Sequence, residues 1–438
     1  MSSIGFPESF VKLFLELRDH FTGPSFEHFK VALSAILLGE PKKTLTAGLR
    51  LMGGKGHFSN IHRFLGLYQW EPSDVVWSLF GLLHRTLSLG KDLVFALDDT
   101  LVPKYGRKIF GRGCHFDHCS KPNRPKYIQG HNWVVMGLLY HCSLFSKWLC
   151  FPLLARLFIP QKAMTKNAVH QSRIEMATEM VTQMKAIVGH AFTLVADGLY
   201  AKTTLIRHCI AEGIALVSRL RSDAALYQIP QPEKVKHRGR PRKYGKRLGT
   251  PKEIGTDPRG FVTYRLKLYG KLQSVEVKRV EAMWKPAAHP IQVLLVRFEG
   301  QKSLSYFFST DLALSVERIL TLVAARWSIE TLFSDLKEHL GMKHWQCRTK
   351  KAVVRSVPLT CVATSLLMLW SLGEAGQQAP EFWDVQPWQT NKASPSMLDM
   401  IHQLKVKCIS TQIFHLLQKE GIERKKYKEI ERILRRAA

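Results

Sequence analysis

Apolar residues recur every three or four positions through the first 88 residues and in near-continuous or alternating runs after that. The first pattern predicts five helices, in "SFVKLFLELRDHF", "SFEHFKVALSAILLG", "TLTAGLRLMGG", "SNIHRFLGLY" and "SDVVWSLFGLLHRTL". Several open on Ser or Thr at an N-cap position, and Gly39 and Gly53 stand where helices stop. Residues 1–88 therefore form a helical region, either a helix-turn-helix-like DNA-binding module or a plain bundle packed on the next domain.

From Lys91 the period shortens. "LVFAL", "HNWVVMGLLYHC" (131–142) and "WLCFPLLARLF" (148–158) read as strands, followed by an amphipathic helix over 167–190. "AFTLVADGLY" (191–200), a short helix from Ala201 and "GIALVSRL" complete a mixed α/β order over 89–223. Residues 224–310 open on the basic, Gly- and Pro-containing run "KVKHRGRPRKYGKRLGTPK" and continue as alternating strands, "FVTYRLKLYG", "QSVEVKRVEAMW" and "IQVLLVRF". Helix returns over 311–375, and 376–438 holds a loop with Pro, Gln and Trp and then a basic helical tail.

At 438 residues and 45% apolar, the chain can bury a sizeable core. Its 64 Lys and Arg against 35 Asp and Glu give a formal charge of +29. Those cations are spread along the whole chain, a distribution suited to a long polyanion such as DNA rather than to a membrane surface. The first residues lack the pattern of a signal peptide, so residence in the cytoplasm is expected. The uncharged stretch "SVPLTCVATSLLMLWSLG" carries Pro, Ser, Thr and Cys and reads as a buried helix, not a span. Eight Cys in such a chain are expected to be reduced.

Candidate chemistry begins at "KDLVFALDDTLVPKYGRK" (91–108), where an apolar strand over 93–97 runs into Asp98 and Asp99. Strand alternation sends those two side chains to opposite faces, so one at most serves a given site. A second strand, through Phe192, Leu194 and Val195, runs into Asp197. On the late helix, Arg326, Glu330 and Lys337 fall within about 40° of one another at 100° per residue, beside an apolar face of Ile329, Leu332, Leu336 and Leu340. Each feature has an ordinary explanation, a turn or an exposed ion-pair ladder. Together, three carboxylates near a sheet edge in a strongly basic chain suit two divalent cations roughly 3.5 to 4 Å apart, acting on a phosphodiester.

"LDDT", "VADGLY" and "RWSIETLFSDLKEHLG" resemble the three catalytic segments of the DDE insertion-sequence transposases, whose catalytic domain has an RNase H-like fold. The chain is most similar to the bacterial group with a β-strand insertion before the third acid and a Tyr-x2-Arg-x3-Glu-x6-Lys signature. Arg326, Glu330 and Lys337 keep that spacing, but Val323 stands at the Tyr position.

The resemblance covers roughly residues 30–375. It implies Asp98, Asp197 and Glu330 as catalytic metal ligands for two Mg²⁺ or Mn²⁺ ions, with Asp98 preferred to Asp99 because Thr100 completes a D-x-T pattern. It further implies double-stranded DNA as partner (element ends and target), a homodimer on DNA, cleavage with strand transfer, and a place on the bacterial nucleoid. A cleavage-deficient DNA-binding descendant is the alternative. A two-carboxylate sugar hydrolase fits the charge poorly.

Arg326 and Lys337 are expected at DNA phosphates. "RGRPRK", with Arg238 and Arg240, is similar to an AT-hook or is a solvated basic loop. Trp284 stacks a flipped base or packs in the core, and Trp327 poses the same choice. His131 suits a structural hydrogen bond. Cys114, His115, His118 and Cys119 are zinc-ligand types in one tight cluster, a weak pattern for a closed site.

Overall fold

The computed structural model describes residues 5–52, 58–117, 123, 125–164, 169–230, 242–378 and 392–419. Five helices come first: α1 (Glu8–Leu15), α2 (Gly23–Leu38), α3 (Leu45–Leu51), α4 (Phe58–Gly66) and α5 (Pro72–Thr86). The Thr22 and Thr44 hydroxyls accept the first free amides of α2 and α3, as the cap pattern requires. Next come β1 (Val94–Pro103), β2 (Gly113–Phe116), β3 (Tyr127–Cys142), β4 (Lys147–Phe158), α6 (Arg173–Val188), β5 (Thr193–Ala196), α7 (Thr203–Ala211) and β6 (Ala215–Arg219). A reciprocal Ser172–Glu175 capping box opens α6, and left-handed Gly189 closes it.

The β-rich stretch contains β7 (Leu226–Tyr227), β8 (Arg247–Gly249), α8 (Pro251–Ile254), β9 (Val262–Leu268), β10 (Lys271–Trp284), β11 (His289–Phe298) and β12 (Ser305–Ser309). Three long helices follow, α9 (Val316–Glu338), α10 (Lys350–Gln378) and α11 (Met397–Lys419).

All twelve described strands belong to one mixed sheet, ordered β2-β3-β1-β5-β6-β12-β11-β10-β7-β8, with β4 on β3 and β9 on β10. The architecture is mixed α/β, consistent with an RNase H-like domain flanked by helices. β1, β5 and β6 are parallel neighbours, β3 is antiparallel to β1, and β12 is antiparallel to β6. Through β12 the inserted strands extend the sheet of β1, β5 and β6 instead of forming a second one.

The uncharged stretch lies in α10, the one helix among the described residues long and apolar enough to cross a membrane, and its apolar window is buried inside the protein. It packs on β4 and against α1, α2, α4 and α5, so the N-terminal helices share one hydrophobic core with the sheet.

Buried Arg355 on α10 fastens that junction. Its guanidinium donates to the carbonyls of Leu65 (3.3 Å), Tyr68 (2.8 Å) and Trp70, and to Glu71 (3.0 Å), while stacking 4.6 Å from the Trp70 ring centroid. Three of its partners are backbone carbonyls that local sequence cannot supply elsewhere. Removing this hydrogen-bonded buried charge leaves them unsatisfied and opens a cavity. Arg355→Ala should lose about 3 kcal/mol of unfolding free energy in a denaturant titration, whereas Glu71→Ala, at an exposed partner, should lose under about 1 kcal/mol. Equal losses would mean that the ion pair, not the carbonyl cage, holds the junction.

Candidate active site

The site starts from a register. β1 pairs with β5 from Val94↔Thr193 to Leu97↔Ala196, and β5 pairs with β6 up to Ala196↔Ser218. One residue further along each strand stand Asp98, Asp197 and Arg219, on the same face because in-register residues of parallel strands point alike. Their positions at the carboxyl ends of adjacent parallel pairings are where α/β sheets present functional groups.

The strand does not end at the acids. β1 continues through Thr100 to Pro103 against β3, so Asp98 and Asp99 lie mid-strand on the antiparallel side and beyond the pairing on the parallel side.

Asp98 and Asp99 have separate surroundings. Asp98 Oδ2 accepts from Arg326 Nη1 of α9 at 2.7 Å, and its Oδ1 accepts the Asp99 backbone amide at 2.8 Å. Asp99 is held by Arg173 Nη1 of α6 (2.8 Å), Asn132 Nδ2 of β3 (2.8 Å) and the Tyr200 hydroxyl (3.1 Å). Asp99 is thus fully engaged in tying β1 to β3, α6 and the turn after Asp197. Arg173, Asn132 and Tyr200 lie 33 to 101 residues from Asp99 along the chain and carry no local motif.

Arg326 bridges two carboxylates, its Nη2 donating to Glu330 Oε1 at 2.7 Å. Side-chain exposures of 15% for Arg326, 17% for Asp98 and 33% for Glu330 rule out a solvated surface ladder. Burial pushes the Asp98 carboxyl up to about 7, Arg326 opposes that, and the Asp197 and Asp99 carboxylates add to it. Burial alone would lower the Arg326 pKa, but Asp98, Glu330 and Asp197 outweigh it and raise the net value. Asp197 accepts from the Leu199 amide at 3.2 Å and starts a short 3₁₀ turn.

Tyr269 completes the surroundings. With Gly270 it forms the two-residue turn between β9 and β10, at φ of 51° and 78°, a pair of left-handed residues that usually takes Asn-Gly. The residue is 53% exposed, and partial burial raises the pKa of its hydroxyl, with Arg326 and Arg219 lowering it and Glu330 raising it, so it lies within electrostatic reach of these charges. Neither Tyr269 nor Arg219 was legible as a site residue, although the "LYGK" turn signal marks the hairpin.

Asp98 and Asp197 offer hard oxygen donors side by side, and Asp98 is raised by burial first and by the neighbouring acids second, against Arg326 and the Asp99 amide. Glu330 is tethered to the same guanidinium. Among the described residues, no three His, Cys, Asp or Glu side chains already form a metal-holding group. The donors therefore suit a divalent cation at the Asp98–Asp197 pair, with Glu330 one guanidinium away.

The remaining candidates are scattered. Lys337 lies further along α9. Exposed Trp327 adjoins Arg326, and Val323 packs partly buried against the core. Trp284, a candidate both for base stacking and for core packing, is buried, with its ring 5.2 Å edge-on to Phe308, so the structure takes the packing alternative. Buried His131 donates to the Phe110 carbonyl at 2.9 Å and is pushed down to about 4 by burial, a neutral structural group. Arg238, Arg240, His118 and Cys119 lie outside the described residues.

A family profile described as DDE superfamily endonuclease matches residues 16–282. No curated protein matches the chain. The matched region contains Asp98 and Asp197 and stops before α9, so the association of Glu330 with the first acid rests on the Arg326 bridge. With more than half of its length matched, including both strands that carry the adjacent acids, the chain belongs to the DDE superfamily endonucleases.

Proposed function

We propose that the protein is a DNA transposase that binds the ends of its own insertion element and cuts and joins DNA at Asp98, Asp197 and Glu330. The observation that carries this reading is the register that sets Asp98 beside Asp197, with Glu330 joined to Asp98 through Arg326. Nucleases of the superfamily generally use divalent metal ions. When bound at the carboxylates, Mg²⁺ or Mn²⁺, two ions in the full reaction, supplies activation of the attacking oxygen and stabilisation of the leaving one.

The chain's own groups do the rest. Asp98 and Asp197 present oxygens from a rigid sheet, which fixes them better than a loop could. Arg326 neutralises the acids in the resting protein and is placed to turn to a DNA phosphate when its carboxylates find another cation. Lys337, further along the helix, and Arg219, at the end of β6, extend cationic contacts to the backbone. Trp327 and Tyr269 are exposed aromatics flanking these charges, suited to a base or sugar of a distorted end. Two element ends brought together call for two copies of the chain on DNA.

Cleavage of a duplex carrying the element's own ends tests this reading. Strand nicking should require Mg²⁺ or Mn²⁺ and stop in EDTA, while Ca²⁺ supports binding alone. Asp98→Asn should drop nicking to background with little change in DNA affinity, because it removes a charged donor without changing shape. Asp99→Asn should keep measurable activity at reduced stability, since its role is the Arg173–Asn132–Tyr200 tie. Full activity of Asp98→Asn, or nicking in EDTA, would sink the assignment.

A buried acid retained for chemistry also leaves a signature in stability. The Asp98 carboxyl in the folded protein titrates near 7, above its unfolded value near 3.8, so the native state binds this proton more tightly. Its contribution to stability is full below about pH 4 and is lost as pH rises through about 7. In EDTA, wild type should therefore lose roughly 3 kcal/mol relative to Asp98→Asn between pH 5 and pH 8, read from paired denaturant titrations. Parallel pH profiles for the two proteins would show that Arg326 compensates Asp98 fully.

A further inference from the structure

A groove enclosing about 620 Å³ lies where β1 and α9 both end. Its lining contains Lys42, Lys104, Arg107, Lys108, Lys343 and Arg348 and no Asp or Glu. Among the described residues, only Lys343 of these six has a carboxylate partner, Glu338 on α9. Lys42, Arg107, Lys108 and Arg348 are exposed. The imidazole of His344, also in the lining, is held below its ordinary pKa by burial and then by the ammonium groups of Lys42, Lys104, Lys343 and Lys43, the mark of a positive field.

The groove is built, not merely charged. The buried Lys104 ammonium, one residue past β1, donates to the carbonyls of Trp345 (2.8 Å), Lys343 (3.2 Å) and Met342 (3.5 Å). It thereby clamps the loop after α9 onto the end of β1. Behind the lining residues Lys42 and Lys343, Gly341 at φ 75° lies so close to Lys43 that an added Cβ would fall 2.3 Å from that side chain. Exposed Tyr105 stands at the lip.

The groove's direction from the acids emerges from the same contacts. Asp98 meets Arg326, and Lys104 meets Met342 and Trp345, so β1 and α9 run the same way, from the carboxylates to the groove. From Asp98 to Pro103 is five strand residues, about 17 Å at roughly 3.3 Å each. That is about five base pairs at 3.4 Å of rise.

We propose that this groove is a DNA-binding surface separate from the carboxylate site, which grips the phosphate backbone of the duplex about five base pairs from the point of cleavage. The proposal rests on the reading of the chain as a DNA-cutting enzyme and names where that enzyme holds the flank. A strip of six cations of which one has a carboxylate partner suits a polyanion whose charges repeat every 1.7 Å or so of axis. Contacts to the backbone alone position the duplex without reading its sequence.

The test uses the full chain with Arg107→Glu and Lys108→Glu together, both exposed and away from the acids. Binding of an end-containing duplex is followed by fluorescence anisotropy in Ca²⁺ across a salt series. A second duplex ends about three base pairs from the cleavage point on the groove side. A control variant, Arg259→Glu with Arg279→Glu, makes the same change in net charge before β9 and on β10, at exposed side chains paired with Asp257 and Glu281.

The expected result is at least about a tenfold loss of affinity for the long duplex and a salt slope shallower by about two. The short duplex should bind the groove variant and wild type alike, the control should bind both duplexes as wild type does, and melting temperatures should be unchanged. Wild-type affinity and slope in the groove variant would overturn the proposal, as would an equal loss on the short duplex or in the control. Wild-type protein that neither binds nor nicks either duplex would overturn the underlying reading first. Binding and nicking by wild type with an unaffected groove variant would remove the groove alone.

Discussion

The site depends on where one parallel pairing stops. β1 and β5 are in register only as far as Leu97 and Ala196, and the next residue on each is an acid. A slip of one position would send Asp98 to the face of α6 and bring Asp99 to α9, since side chains alternate. What prevents the slip is apolar. Val94, Phe95, Ala96 and Leu97 are buried on both faces, as are Leu194, Val195 and Ala196, and the antiparallel run with β3 locks β1 from its other side for ten residues. The hydrophobic core therefore sets the distance between two charges that repel each other.

That repulsion is offset in a particular way. Arg326 contacts Asp98 and Glu330 at once, and all three side chains are partly withdrawn from water. An Arg–carboxylate bridge of this kind is strong when intact and unfavourable when either partner is lost. Asp98 remains raised to about 7 even with the bridge, because burial outweighs the guanidinium, and the Asp197 and Asp99 carboxylates add a smaller push in the same direction. A buried carboxyl with a second acid beside it is disposed toward a cation, which would offset both the desolvation of the charged form and the repulsion between the acids. Asp99, by contrast, has three donors and serves as a structural tie.

Much of this is legible in the sequence. Period and caps mark the five N-terminal helices, the strands at β3, β4 and β5 and the long helix α9, because each has a strong local pattern. The mixed α/β class comes from their order. The extension of β1 past the acids is hidden, since "DDTLVP" lacks the alternation that marks a strand and is held there by β3, some 30 residues away in sequence. The fusion of the inserted strands into the same sheet is hidden for the same reason: the pairing of Phe307 with Arg219 spans most of the insertion and leaves no local trace. Trp284 is the ambiguous case that burial decides, because composition shows an aromatic but not which way it faces.

The inserted strands have a consequence for the site that sequence order obscures. Because β12 pairs with β6, the run from β11 through β10 to β9 is carried across the sheet and the β9–β10 turn is returned to α9. Tyr269 occupies that turn in a left-handed conformation that Tyr adopts with strain, where Asn or Gly would be easier. Strain of this sort is maintained when the surrounding structure over-determines it. Here the long β9–β10 ladder fixes the turn, and the side chain it delivers is within electrostatic reach of Arg326, Arg219 and Glu330. An insertion that began as an interruption in chain order is, in space, one wall of the site, and the helix α9 is held between that wall and the acids it faces.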